Sequence, residues 1–252
     1  ITWIGQAGLL FDNGKVKIML DPYLSNSVAK VNPLNDRRVP IDESLFEITP
    51  DVMIFTHDHL DHYDPETASR FLEKQEKTMT VLSPTSVWQK ARQHGTHNYV
   101  EFNRHTEWTE QGFRFSAVKA VHSDPYAIGV LIEDLEEGKV YYVTGDTLYS
   151  KDIVEDLPKN IDLVFLPVNG VGNNMNATDA ALDAQMLADT VGRWLTTLKP
   201  QARDAFVCRY FFADSLQEIA ARQGVSLSKV KSTLYRARQS LRDHLEKEGY
   251  SV

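Results

Sequence analysis

The stretch Val52-Met53-Ile54-Phe55-Thr56-His57-Asp58-His59-Leu60-Asp61-His62 decides the fold. Four apolar residues of strand character run into three histidines and two aspartates within six positions. Side chains alternate along an extended segment, so His57 and His59 point the same way and can reach one ion. Asp61 and His62 lie one turn further on and can reach a second. Imidazole suits zinc and similar borderline metals, and carboxylates add neutralising charge. Two ions roughly 3.5–4 Å apart can share a bridging hydroxide, a nucleophile available at neutral pH.

Two more ligand candidates stand in the same kind of place. His122 follows the strand-like run Phe113–Val118, and Asp146 follows Val140–Val143 within Thr144-Gly145-Asp146-Thr147. Ligands at the ends of several strands converge at one edge of a sheet, where loops can be shaped without disturbing the core. Further strands are expected at Ile1–Ile4, Leu9–Phe11, Val16–Leu20, Val52–Phe55, Thr80–Leu82, Ile128–Ile132 and Leu163–Leu166, punctuated by Gly, Asp, Asn and Pro. Helices are expected at Pro65–Glu76, opened by Asp64-Pro65, and at Ser86–His94. Many strands with a few helices between them imply layered α/β structure. Asp21 either steadies the histidine loop from outside the ligand shell or fills a plain turn. His94, His97 and His105 lie around an Asn/Arg-rich loop and read as surface histidines, His105 being the one that could line a substrate mouth.

A chain of 252 residues, 42% hydrophobic and 25% charged, fits one large domain or two unequal ones. The net charge of −8 excludes indiscriminate nucleic-acid binding by the whole surface. That charge is unevenly spread: up to Gln185 there are 16 Lys+Arg against 28 Asp+Glu, and from Met186 onward 11 against 7, so −12 is followed by +4. The change of sign points to two units with different partners. The single cysteine, Cys208, excludes an internal disulfide framework and fits a reducing compartment. No apolar run approaches the roughly 20 residues that span a bilayer, and no basic-then-apolar leader precedes the first strand, so a cytoplasmic location is expected with no membrane contact.

The spacing His57-x-His59-x-Asp61-His62 resembles the signature of the metallo-β-lactamase superfamily. Ile1-Thr2-Trp3-Ile4-Gly5-Gln6-Ala7-Gly8, Leu20-Asp21-Pro22-Tyr23, His122-Ser123-Asp124 and Pro167-Val168-Asn169-Gly170 are more specifically similar to its ascorbate-6-phosphate-lactonase-like branch. The resemblance covers about residues 1–180 and implies an αββα sandwich and a metal-dependent hydrolase. It implies that His57, His59 and His122 form a first metal site, that Asp61 and His62 belong to a second, and that Asp146 bridges the two. Members of the superfamily normally close the second site with one more histidine on a late strand. Beyond His122 this chain has only His244, so the sandwich is expected to be C-terminally incomplete and to lack that ligand.

From Asp179 to Glu248 the character changes to long amphipathic helical periodicity. The boundary is soft, at about 177–190. Ser215-Leu216-Gln217-Glu218 has capping-box spacing, Gly224 can end the helix it opens, and Ser226 can cap a second. On that second helix Val230, Leu234, Ala237, Leu241 and Leu245 share one face. The other side carries Ser228, Lys229, Lys231, Ser232, Tyr235, Arg236 and Arg238, the candidate DNA-binding face of a helix-turn-helix. A plain helical hairpin with a solvated charged face has the same layout. From about Val191 to Tyr250 the chain is similar to region four of a sigma factor, notably at Leu198-x-Pro200-x-x-Arg203, Arg209-Tyr210-Phe211, Ser215-x-x-Glu218-Ile219-Ala220, Val230-Lys231-Ser232-x-Leu234-x-Arg236-Ala237-Arg238 and the closing Leu245-Glu246-Lys247-Glu248-Gly249-Tyr250. That resemblance implies recognition of a promoter element and contact with RNA polymerase.

The expected protein therefore has a metal-dependent hydrolase domain over 1–180 and a helix-turn-helix domain over 186–252. The cofactor is zinc, as one or two ions, with manganese as the alternative. A metal-bound hydroxide attacks the substrate, Asp61 moves the proton, and the resemblance suggests a lactone or a phosphorylated sugar. Two other readings stay open: a transcription regulator whose metallo-hydrolase domain is degenerate, and a truncated chimera without joint function.

Overall fold

In a computed structural model of the chain, the described residues are 1–74, 76–158, 160–177, 179–180, 191, 194–195, 197–210 and 214–247. They divide into two compact units, the first made of Ile1–Leu157 and Ile161–Ala180, the second containing the chain from Ala181 onward. Most of the change-over at 177–190 lies outside the described residues, as do Phe211 and Glu248-Gly249-Tyr250.

The first unit is built on a run of apolar residues that has no polar side. Strand β4 (Val52–Ile54) is buried at every position, because Val52 and Ile54 face a second sheet while Met53 faces helices. A strand covered on both faces reads as continuous apolar sequence, and here it pairs in parallel with β3 (Lys17–Leu20) and β5 (Thr80–Ser83). The six-stranded sheet runs β1 (Thr2–Gly5), β2 (Gly8–Asp12), β3, β4, β5, β6 (Asn98–Glu101), antiparallel from β1 to β3 and parallel from β3 to β6.

The five-stranded sheet runs β11 (Leu163–Phe165), β10 (Lys139–Val143), β9 (Ile128–Asp134), β8 (Phe113–Lys119), β7 (Glu107–Glu110). Its pairs are antiparallel except β10 with β11. In β8 the alternation is plain: Phe113, Phe115 and Ala117 enter the core between the sheets, while Arg114 and Ser116 do not. Phe11, Ile18 and Leu20 meet them from the other sheet.

Helices α1 (Ser27–Val31), α2 (Pro65–Leu72) and α3 (Thr85–Ala91) belong to the first half of the chain. Asp64 caps α2 by accepting from the backbone N–H groups of Glu66 and Thr67, and Pro65 sits at its first position. Ala68, Phe71 and Leu72 of α2 and Val87 and Ala91 of α3 cover the outer face of the six-stranded sheet. On the other side Ile153 of α4 (Lys151–Asp156) packs on Val118, Leu131, Val140 and Tyr142 of the five-stranded sheet. The layers are therefore helix, sheet, sheet, helix, and the α/β expectation and the αββα sandwich both hold. Strands β6 and β7 and helices α1 and α4 are additions to the expected elements. Each is short, and β6 and β7 carry polar, half-exposed sequence without a strong period.

The second unit contains α5 (Pro200–Tyr210), α6 (Leu216–Gln223) and α7 (Leu227–Lys247). Trp194, Phe206, Ile219, Val230 and Leu234 form its core, with the Trp194 and Phe206 rings edge to face at 4.8 Å. Both reciprocal bonds of the Ser215/Glu218 capping box are present, and Gly224 takes the left-handed conformation at φ 62°. Among the described residues no helix is long and apolar enough to cross a membrane.

Asp156, at the end of α4, accepts both guanidinium contacts of Arg104 at 2.7 and 2.8 Å and the backbone N–H of Lys119. The Arg104 bonds hold its carboxyl down at about 2. This stabilisation is present above the ordinary carboxylate range near pH 3.8 and is lost as pH falls toward 2. Asp156→Asn is expected to flatten the acid limb of a stability-versus-pH curve over that interval, measured by urea unfolding.

Candidate metal centre

Four candidate ligands lie just beyond the carboxyl ends of strands, and Asp61 and His62 in the turn that follows His59. His57 and His59 follow β4, His122 follows β8, and Asp146 follows β10. Backbone bonds just past the strand ends fix these loops: within the sheets Phe55 donates to Leu82 O and Thr144 to Phe165 O, and between the sheets Ile128 donates to Thr56 O. Gly145, at φ 60°, lets the Asp146 loop approach. A Cβ there would meet Thr56 Cβ and Ile128 O at 3.0 Å.

Two donor clusters result. His57, His59 and His122 form one, and His57, His62 and Asp146 form the other. Each brings one ligand atom per residue within 4.8 Å of the others. His122 Nε2 and His59 Nδ1 are 3.1 Å apart, and His62 Nε2 is 3.3 Å from Asp146 Oδ1. Two nitrogens on one tetrahedral ion with bonds of about 2.0–2.1 Å lie roughly 3.3 Å apart, so the spacing suits a shared cation.

The outer partners orient the rings. Asp21, fully buried, accepts from the Thr56 backbone N–H at 2.8 Å, from the Thr56 hydroxyl at 2.5 Å and from His62 Nδ1 at 2.7 Å. Asp21 adopts φ 42°, a conformation that costs energy and that these three bonds hold in place. His122 Nδ1 donates to Asn173 O at 3.2 Å, which leaves Nε2 free to accept an ion. His59 Nε2 lies 3.1 Å from the Ser123 hydroxyl. His57 Nδ1 lies 3.0 Å from the Thr56 hydroxyl, and its Nε2 is buried without a partner among the described residues. A buried ring nitrogen common to both clusters and left unpaired is what a cation site requires.

The electrostatics agree. Burial, with the charge of His62 behind it, pushes His57 far below the usual histidine range, so its ring is neutral. Burial also lowers His122. Burial would lower His62 too, but the Asp21 charge and the Asp146 carboxylate outweigh it and raise the ring above the usual histidine range, and a cation bound at Nε2 would take the place of that proton. Burial opposes ionisation of Asp146, yet its bond to His62 keeps the carboxyl well below its ordinary value.

The clusters face a cavity of about 940 Å³ whose wall includes Trp3, Tyr23, Arg38, Asp61, Asn169 and Asn174. Asp61 thus borders the site but belongs to neither cluster. Asp21 sits where a residue steadying the histidine loop should. His97 is bonded to Leu72 O and to the Met79 backbone N–H, His94 lies against Glu73, and His105 against Asp156; none of the three enters a cluster. Thr56, Ser123, Asn173 and Asn174 escaped the sequence reading, because hydroxyls and amides in loops are common and only the fold brings these four to the ligands. Asp124 also escaped it as a functional residue. It accepts from the Asp58 backbone and the Ser86 hydroxyl and so ties the histidine loop to α3.

The helical unit offers a separate surface. At about 100° per residue, Ser228, Lys229, Lys231, Ser232, Tyr235, Arg236 and Arg238 span roughly half the circumference of α7, opposite buried Val230, Leu234 and Ala237. All are exposed except half-buried Ser232. Arg236 leans back on Ser232, and Arg238, at the margin of the arc, donates to the Tyr210 hydroxyl at 3.2 Å.

Paired sheets with histidines and an acid gathered at one strand edge define a class of metal-centred sandwich proteins. The beta-lactamase superfamily domain matches residues 17–203, and sigma-70 region 4 matches residues 189–241. A UPF0173 metal-dependent hydrolase of Korarchaeum cryptofilum is 30% identical over 174 residues, covering 68% of this chain and 70% of the relative. Its counterpart from Thermoplasma acidophilum is 29% identical over 182 residues, with the same coverage. The structure of an isothiocyanate hydrolase from Delia radicum gut bacteria shares the fold at TM-score 0.53 and 23% identity, over 74% of this chain and 80% of that one. The chain belongs to the beta-lactamase superfamily, among relatives named as metal-dependent hydrolases.

Asp21→Asn is expected to weaken metal binding by roughly 10–100-fold, the usual effect of losing an outer partner, read by chelator competition.

Proposed function

We propose that the first unit hydrolyses a small ester-like substrate, a lactone or a phosphorylated sugar, and that the helical unit binds DNA. The unpaired Nε2 of His57, shared by both clusters, carries the hydrolytic reading. His57, His59, His122, His62 and Asp146 would hold a zinc or manganese ion, which would supply Lewis acidity and lower the pKa of a water. Asn173 O and Asp21 keep His122 and His62 in the tautomers that present Nε2 inward. Asp61, on the cavity wall beside His59 and His62, is placed to take a proton from the attacking water and return it to the leaving oxygen. Arg38 on the same wall is a cation for an acidic group of the substrate. The resemblance to the lactonase-like branch supports the choice of substrate.

A regulator that binds a ligand without turnover is favoured by one observation. Among the described His, Cys, Asp and Glu residues, the second cluster holds only His62 and Asp146 besides shared His57. Rates on a panel of lactones and phosphate esters separate the two readings: hydrolysis that His57→Ala reduces by more than about 10³-fold supports the first, and no turnover by metal-loaded wild type supports the second.

For the helical unit, the match to sigma-70 region 4 and the exposed basic arc on α7 support DNA binding, with RNA polymerase as a further partner. A cytoplasmic location fits both DNA binding and the unpaired thiol of Cys208. Lys231→Ala and Arg236→Ala are each expected to weaken binding of a promoter fragment and to reduce the salt slope by about one. Unchanged affinity and slope in both variants would rule out this face.

A further inference from the structure

The loop after β11 brings a residue to the second cluster that neither the motif nor the resemblance assigns. It is pinned at both ends: Asn169 and Asn176 form an antiparallel bridge, and Gly170 donates to Met175 O at 3.0 Å. Met175 is buried and donates to Thr147 O at 2.8 Å, next to Asp146. Within this loop the Asn173 carbonyl already orients His122 of the first cluster. The neighbouring side chain, Asn174, turns to Asp146 of the second.

Asn174 is 7% exposed, and its Nδ2 lies 2.9 Å from Asp146 Oδ2. Its Oδ1 is buried with no partner among the described residues. A half-turn of the amide exchanges nitrogen and oxygen without moving another atom. In that orientation the oxygen stands against a carboxylate, which two acceptors tolerate only when a cation lies against both. In the other orientation it is the buried oxygen that goes unpaired. Either way the amide lacks a positive partner. With the amide turned, its oxygen would take the 2.9 Å place now held by Nδ2 beside Asp146 Oδ2, near the roughly 3.0 Å between two oxygens adjacent on an octahedral ion with bonds of about 2.1 Å.

We propose that Asn174 is a metal ligand, its side-chain oxygen completing the second cluster with His62 and Asp146 in place of the histidine this chain lacks. The inference rests on the metal-dependent reading of the site. With His57 counted to the first position, the second has one nitrogen and two oxygens, a harder donor set than the three imidazoles of the first, suited to manganese before zinc.

The test loads the full chain with Mn²⁺ or Zn²⁺ in separate samples, removes excess ion, and counts metal per chain by elemental analysis. Chelator competition then gives affinities, and electron paramagnetic resonance reports bound Mn²⁺. Wild type is expected to hold two ions. Asn174→Ala is expected to keep the ion of the three-histidine cluster, which also shows that the variant is folded. Its second ion should be weakened beyond the roughly 10–100-fold that loss of an outer partner costs. Asn174→Asp keeps an oxygen at the same place and is expected to retain both ions, and it decides the matter should Asn174→Ala not fold. Unchanged ion count and affinity in Asn174→Ala overturn the inference. So does an Asn174→Asp variant as weak as Asn174→Ala, since the residue would then act only by donating N–H to Asp146. A wild type that holds no ion sinks the metal-dependent reading and this inference with it.

Discussion

The carboxylate of Asp21 is the interaction on which the site depends. One buried acid receives the backbone and hydroxyl of Thr56 and the ring of His62, and so joins the end of β3 to the end of β4 and to the turn beyond it. A buried charge left unpaired would be strongly destabilising, and three donors make this one tolerable. The same bonds settle which way the histidines face. Parallel pairing of β3 with β4 brings Asp21 alongside Thr56, so the sheet and the metal centre are consequences of one register.

Much of this was legible in the sequence. Val52–Phe55 announces a strand buried on both faces, and the histidines after it announce a metal, because no other chemistry asks for that density of imidazole at a strand end. His122 and Asp146 were legible for the same reason, each following a recognisable strand. The weaker signals came from what loops do in three dimensions. Asn174 looks like any other polar residue in Gly172-Asn173-Asn174-Met175, and only burial and the approach of Asp146 set it apart. Asp61 lies in the turn past His59 and lines the cavity, outside both donor clusters, a difference that its spacing along the chain does not show.

The two units divide the chemistry as they divide the charge. The first is acidic overall, and draws His57, His59, His62, His122 and Asp146 together at one site. The second is basic, and sets its cations outward on one arc of α7, with Val230, Leu234 and Ala237 holding the helix by its other side. The fold of each is held by an apolar core of its own.

The groups that meet at the metal centre are far apart along the chain: 41 residues separate Asp21 from His62, 63 separate His59 from His122, and 51 separate His122 from Asn173. The His59–His122 encounter joins loops of the two sheets, so the full set of donors is assembled only in the folded chain, and a cation favours that state. Its binding energy then adds to folding in proportion to the logarithm of free ion over dissociation constant. The supply of metal is therefore expected to set how long the sandwich survives proteolysis.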